Sequence, residues 1–423
     1  HPLGSALLAW PVRHAKPLLL GGLTLVAYFA AINRMQPLPW AMAALMTATL
    51  LTGLAWPHWL VKRLSVIRHG PTRAQEGDVI TFDVAVENHG ALPRFMVELV
   101  DRLPFVGAAQ GTATPGDITL GMVAYLPGGH TRRFQAPVVC EKRGLYRLGP
   151  VGLASSFPLG LAEARQTRAA GVQFLTIYPT LFPILSLPLK GTPSQIHRGG
   201  YLLPEGAGAA EFSGLREYRR GDLPRHVHWP TTARLNELMV KEFEPLASAS
   251  LTVVLDQSAT ANAGQGKQAT FEYAIRIAGS IARFASNQHL PLRMVGAGTQ
   301  PLEIPSGIGE THFQRILDQL AILDADGDTP YASVLQRAAV TCQPGETVVV
   351  FLSEPEARLD ATLQALAFLR ARGAHLFALA FDRASFLADA EASSNRALAA
   401  LLDLGAHCLA IRQGEDLVKT FNL

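Results

Sequence analysis

The 423-residue sequence predicts a multidomain chain: a transmembrane helical hairpin, an all-β immunoglobulin-like sandwich, a linking segment and a doubly wound α/β domain. Three observations predict it. Two long apolar runs open the chain, period-two alternation with turn residues follows, and then continuous apolar strands alternate with amphipathic helices. The boundaries fall at 1–64, 65–185, 186–250 and 251–423. A chain of this length exceeds what one core holds. A net charge of +3 with only 17% charged residues lacks the concentrated basic face of a nucleic-acid binder. Cys140, Cys342 and Cys408 lie far apart with no CxxC pair. That argues against a disulfide framework or zinc site and reads as three small buried hydrophobes.

The hairpin is read from Leu18–Ile32 and Leu38–Val61, joined by the polar turn Asn33–Pro37. Hydrocarbon offers no partners to backbone groups, so both runs are expected to be helical and in contact with a lipid bilayer. Trp10, Trp40, Trp56 and Trp59, four of the five tryptophans, cluster at the predicted interfaces. Arg13 and Lys16 precede the first run and Lys62, Arg63, Arg68 and Arg73 follow the second, whereas the turn holds only Arg34. The positive-inside rule therefore puts both ends and the soluble domains in the cytoplasm.

The sandwich is read from strands at Val79–Glu87, Phe95–Val100, Gly121–Leu126, Thr131–Val139 and Gln173–Tyr178, separated by turn residues. No catalytic grouping stands out there, and a spacer or docking role is expected. In the last part, strands are expected at Leu251–Leu255, Leu292–Gly296, Thr347–Leu352, Leu376–Ala380 and Cys408–Ile411. Helical segments at 271–289, 313–323, 331–339, 357–372 and 395–404 fill the gaps, which predicts a parallel sheet with helices on both faces.

Ligands of such sheets bind at the carboxyl ends of strands. The first strand ends in Asp256-Gln-Ser-Ala-Thr260, where a carboxylate and two hydroxyls at alternate positions can converge on a hard cation such as Mg2+. Asp324–Thr329 can add Thr329 or Asp328, and Ser353-Glu354 ends another strand in the same place. The competing expectation is that Asp256 and Ser258 only satisfy a turn or cap a helix.

The densest polar stretch is Glu211–Arg234, with Arg216, Arg219, Arg220, Arg225 and Arg234 and no lysine. Arginine forks fix carboxylates in set geometry, which favours a clasp in which Arg216, Arg225 and Arg234 pair with Glu211, Glu217, Asp222, Glu237, Glu242 or Glu244 while Trp229 packs beneath. A partner-docking surface is the overlapping alternative. His226 and His228, with Asp222 near, could hold a metal and serve an enzyme. No Gly-x-Ser-x-Gly elbow and no P-loop occurs, so the chain is not expected to be an enzyme.

The run Gly214-Leu-Arg216-Glu-Tyr218-Arg-Arg-Gly221-Asp222, then Arg225, Trp229, Ala233-Arg234 and Val240-Lys241-Glu242-Phe-Glu244, resembles the signature of the domain-of-unknown-function family numbered 58. Lys142–Pro150 and Phe157–Leu161 are similar to that family's middle domain, although Phe157 stands where an aspartate is usual and Pro230 where lysine is usual. The resemblance implies a von Willebrand factor type A-like fold for the last domain. Its D-x-S-x-S metal motif is matched by Asp256, Ser258 and Thr329, with Thr260 for the second serine and Glu354 for the aspartate. The resemblance further implies a bacterial inner-membrane adaptor or assembly factor working with a MoxR-type AAA+ ATPase, and a membrane transglutaminase-like protein as a second partner. A divalent-metal-dependent ligand receptor is the alternative function, and an enzyme using His226 and His228 the third.

Overall fold

The computed structural model describes residues 3–34, 36–107, 117–166, 172–189, 210–218, 227–235, 237–245, 250–387 and 394–422. The chain divides into two compact units, residues 1–178 and 179–423.

The first unit opens with helices α1 (Leu3–Arg34) and α2 (Pro37–Leu60). Ala15–Asn33 and Pro37–Leu60 are long and apolar enough to cross a membrane. The pair meets through small residues and one polar contact: Ala31 and Ala43 are fully buried, and Tyr28 Oη lies 3.0 Å from Thr47 Oγ1. The outer faces stay apolar and bare, with Leu25 and Phe29 exposed by 72% and 71%.

Ten strands follow: β1 (Leu64–His69), β2 (Arg73–Gln75), β3 (Val79–Asn88), β4 (Arg94–Arg102), β5 (Asp117–Leu126), β6 (Thr131–Val139), β7 (Gly144–Leu148), β8 (Gly152–Ser155), β9 (Ala164–Gln166) and β10 (Gln173–Tyr178). They form sheets ordered β1-β3-β6, β5-β4-β8-β9 and β2-β10-β7. Alternate residues of β3, from Ile80 to Val86, turn inward and meet Val97, Leu99, Val123, Leu153 and Leu175 in one core. This is the expected β-sandwich, with β1, β2, β7, β8 and β9 added. Those five are short or only partly alternating, so periodicity alone did not reveal them. A buried ion pair joins Arg68 of β1 to Asp101 of β4, with the guanidinium 5.1 Å from the Phe82 ring centroid.

In the second unit, residues 179–189 form neither helix nor strand, and the Phe182 amide donates to Ser280 Oγ at 3.0 Å. Residues 179–185, which the sequence reading placed in the sandwich, thus pack on the helix that carries Ser280. A hairpin then pairs β11 (Ala210–Glu217) with β12 (Met239–Pro245), and the short helix α3 (Trp229–Leu235) lies between them in sequence. The sequence assigns no strands to the linking segment; a bulge between Phe212 and Gly214 breaks the alternation of its ladder.

The rest is a six-stranded sheet ordered β15-β14-β13-β16-β17-β18. Its strands are β13 (Leu251–Leu255), β14 (Leu292–Gly296), β15 (Glu303–Gly307), β16 (Thr347–Leu352), β17 (His375–Phe381) and β18 (His407–Ile411). Helices α4 (Thr270–Asn287), α5 (Gly309–Ile322), α6 (Tyr331–Thr341), α7 (Glu356–Ala371), α8 (Arg383–Phe386), α9 (Ser394–Asp403) and α10 (Leu417–Phe421) complete it. Residues of α6, α7 and α9 form one core cluster with Val254, Val348, Val350, Leu376 and Ala378. The expected all-parallel sheet needs one correction: the edge strand β15 is antiparallel to β14. Its sequence, Glu-Ile-Pro-Ser-Gly, is short and mostly polar, as an edge permits.

Candidate functional site

In this strand order β13 connects onward to β14 on one side and β16 to β17 on the other, so the loops leaving their carboxyl ends part and open a crevice. Asp256 follows β13, and Ser353-Glu354 follows β16. Tyr331, fully buried, fills the fork below: its hydroxyl donates to the Val254 carbonyl at 2.7 Å and accepts from the Phe351 amide at 3.2 Å. One side chain thereby satisfies backbone groups of both diverging strands.

The loop after β13 is held by backbone bonds. Gly327 N donates to the Gln257 carbonyl at 2.8 Å and Ala259 N to the Gly327 carbonyl at 3.0 Å. A Cβ on Gly327 would stand 2.7 Å from the Ala297 carbonyl oxygen, so the close approach requires glycine. This pairing carries the half-buried Thr329, two residues on, to the same edge.

Asp256, Ser258 and Glu354 are buried there, with exposures of 7%, 1% and 5%. Asp256 Oδ1 accepts from the Ser258 amide at 2.9 Å, no other donor among the described residues reaches Asp256 Oδ2 in hydrogen-bond geometry, and the Ser258 hydroxyl faces the Asp256 carboxyl itself. Burial pushes the Asp256 carboxyl up to about 7, the Ser258 amide and hydroxyl oppose this, the nearby Glu354 charge adds to it, and Arg358 opposes it. Burial also raises Glu354, against the Thr362 hydroxyl that donates to its carboxylate. Thr260 Oγ1 accepts from Arg358 Nη1 at 2.7 Å. Arg383 donates to the carbonyls of Ala261 and Ser353, bridging the loops after both strands.

Asp256 and Ser258 therefore fit a hard cation, since a buried carboxyl and hydroxyl lie at alternate positions on one strand exit with no other described side chain to satisfy them. Thr260 and Glu354 fit less well, because each is already engaged. Tyr331, Arg358 and Arg383 were not singled out from sequence. Their contacts span long stretches of chain, and only a buried-type tyrosine opening a helix could have hinted at the first.

The signature segment behaves differently. Arg216 stands opposite Val240, Leu215 opposite Lys241 and Gly214 opposite Glu242 in the hairpin ladder. Gly221, Asp222, Arg225 and His226, with Arg219 and Arg220, lie outside the described residues. His228 closes the start of α3: its carbonyl accepts from Thr231 and Thr232, and its Nδ1 lies 2.8 Å from Thr231 Oγ1. Trp229 does not pack beneath a clasp but is 64% exposed. It is the first residue of a short helix that has no buried position. Tyr218 is 38% exposed, and Arg234, in the last turn of α3, is exposed without an ion pair among the described residues.

Comparison with known proteins locates the family within the chain. Residues 214–372 match the family described as Protein of unknown function DUF58. The matched stretch runs from β11 through the β13–β16 fork to the end of α7 and so contains Asp256, Ser258, Thr329 and Glu354. The chain is also 28% identical over 116 residues to the Uncharacterized protein YeaD of Bacillus subtilis (strain 168), a match covering 27% of each chain. Among solved structures, the CARDB domain of a Pyrococcus furiosus protein aligns at 13% identity over 27% of this chain and 86% of that one, with a TM-score of 0.19. The proximal thread matrix protein 1 of the mussel byssus aligns at 12% identity over 41% and 46%, with a TM-score of 0.29. Scores this low carry no argument about fold or function.

Proposed function

We propose that this DUF58 protein is a membrane-anchored, non-enzymatic adaptor whose α/β domain, of the von Willebrand factor type A kind, engages a protein partner at the β13–β16 fork. The resemblance points to a MoxR-type AAA+ ATPase as that partner, at the inner membrane of a bacterium, with a transglutaminase-like membrane protein as a further associate. The observation that carries the reading is the buried Asp256 carboxyl and Ser258 hydroxyl, satisfied by no described side chain outside the pair, beneath a rim of backbone-clamped loops. Polar atoms are not left unsatisfied in a core without cause, and a ligand arriving at the crevice supplies one.

A divalent cation is the second part of the reading. Asp256 and Ser258 would hold Mg2+, with Thr329, two residues after the clamped Gly327, as a further candidate. A bound cation would offer its open coordination positions to a partner carboxylate. The two helices long and apolar enough to cross a membrane support the anchor.

Co-purification of the full chain with a MoxR-type AAA+ ATPase, in Mg2+ and in chelator, tests this. Retention in Mg2+ that falls at least tenfold in chelator is expected. No retention under either condition contradicts the adaptor reading, and equal retention in both contradicts the cation.

A further inference from the structure

The foot of α2 carries a site of a different kind. Where the helix ends, His58, Lys62 and Arg63 face Arg165 and Gln166 of β9 across an open pocket of about 440 Å3. The side chains of Lys62 and Arg63 are exposed. The carboxylate seen beside them is Glu163, paired with Arg165 at 2.5 Å, so the pocket keeps an excess of positive charge. Gln166 donates through Nε2 to the Leu64 carbonyl at 3.3 Å, but its buried Oε1 has no partner and is an acceptor awaiting a donor.

The pocket is rigidly built. Arg94, only 3% exposed, stacks over the Trp59 ring with its carbon 3.9 Å from the centroid and donates to the Lys62 carbonyl at 3.3 Å. That contact fixes the end of the helix to the sandwich. Burial and the neighbouring Arg63 charge lower the Arg94 pKa, in keeping with cations crowded together.

Beside the pocket the surface turns apolar. The loop Phe157–Leu161 leans on α2 at Gly53, where an added Cβ would meet Leu161 at 2.5 Å and Leu159 at 3.3 Å. Gly53 stands seven residues before the helix end, a depth of about 10 Å at 1.5 Å per residue. Phe157 and Leu159 nevertheless remain 36% and 46% exposed. An apolar loop held against a span at that depth belongs at the boundary of headgroup and acyl chain, and cations at the helix end belong at headgroup level.

We propose that this pocket binds the headgroup of an anionic, hydroxyl-bearing phospholipid such as phosphatidylglycerol. The phosphodiester lies on Lys62 and Arg63, a headgroup hydroxyl donates to Gln166 Oε1, and the acyl chains run beside Phe157 and Leu159. The inference rests on the reading of α1 and α2 as a membrane anchor. The apolar loop is what selects a lipid over free phosphate.

The test reconstitutes the full chain into vesicles of phosphatidylcholine with one-fifth phosphatidylglycerol, washes them with carbonate, and measures by mass spectrometry the lipid retained after gentle detergent extraction. Wild type is expected to stay inserted and to retain phosphatidylglycerol at least fivefold over its bulk share. The double variant Lys62→Gln with Arg63→Gln should stay inserted and lose that enrichment, and Leu159→Asn should weaken it. Glycerol 3-phosphate at millimolar concentration should not displace the lipid. Extraction of wild type by carbonate overturns the anchor and the site together. Insertion without enrichment, or enrichment unchanged in the double variant, overturns the site alone. Displacement by glycerol 3-phosphate overturns the lipid assignment in favour of a free phosphate ligand.

Discussion

The signature segment and the β13–β16 fork are near neighbours in sequence and opposites in physics. The first crowds arginine, histidine and tryptophan, yet its described part leaves Trp229 and Arg234 at the surface. The second is an unremarkable Asp-Gln-Ser-Ala-Thr after an apolar strand, yet it buries a carboxyl whose pKa is pushed up to about 7. Charge density marks a surface, whereas a strained polar group in a core marks a site, and only topology tells which sequence stretch has been buried.

The sharpest way to break this contrast is Asp256→Asn. Its carboxyl titrates near 3.8 when exposed and at about 7 in the fold. Between those values the folded chain holds a proton that the unfolded chain has released, so stability falls as pH rises from about 4 and levels off above about 7. Three pKa units correspond to about 4 kcal/mol at 1.36 kcal/mol each. In chelator, Asp256→Asn should therefore be more stable than wild type at pH 8 by up to that amount, and equal to it near pH 4. Pulse proteolysis in urea, read on peptides from residues 251–423, measures this. A wild type whose stability rises across that pH range would contradict the burial argument.

Next in size is Gly327→Val, which forces a side chain against the Ala297 carbonyl and breaks the clamp between the two loops. About 3 kcal/mol of destabilisation is expected in the same assay. Tyr331→Phe removes the hydroxyl shared by Val254 and Phe351 and should cost about 2 kcal/mol, because it leaves buried backbone groups unpaired. Trp229→Ala should change stability by less than about 0.5 kcal/mol, since the ring is mostly in solvent. A large loss there would restore the clasp and erase the contrast.

Much of the fold was legible in the chain. Continuous apolar runs such as Leu251–Leu255 and Thr347–Leu352 have one physical meaning, a strand covered on both faces, and they mark the sheet within a residue. What was illegible shares a cause. The edge strand β15 carries few apolar residues and the β11–β12 hairpin has its alternation broken by a bulge, so their pairing is visible only when the partner is in place. At the site, Asp256, Ser258 and Thr329 were readable because a strand exit with alternating oxygens has a chemistry of its own. Arg358, Arg383 and Tyr331 were not, because each acts on an atom far away in sequence: Arg358 reaches Thr260, Arg383 reaches Ala261 and Tyr331 reaches Val254. The engagement of Glu354 with Thr362 was likewise invisible, because the two meet only once α7 is packed.

The most direct measurement of the central claim compares two variants in one experiment. Full chains bearing Asp256→Ala or Trp229→Ala are captured alongside wild type, in Mg2+, with the AAA+ ATPase as prey. If the fork is the docking site, Asp256→Ala retains less than a tenth of the wild-type ATPase and Trp229→Ala retains most of it. Full retention by Asp256→Ala together with loss in Trp229→Ala would place the docking surface on the signature segment and contradict the account.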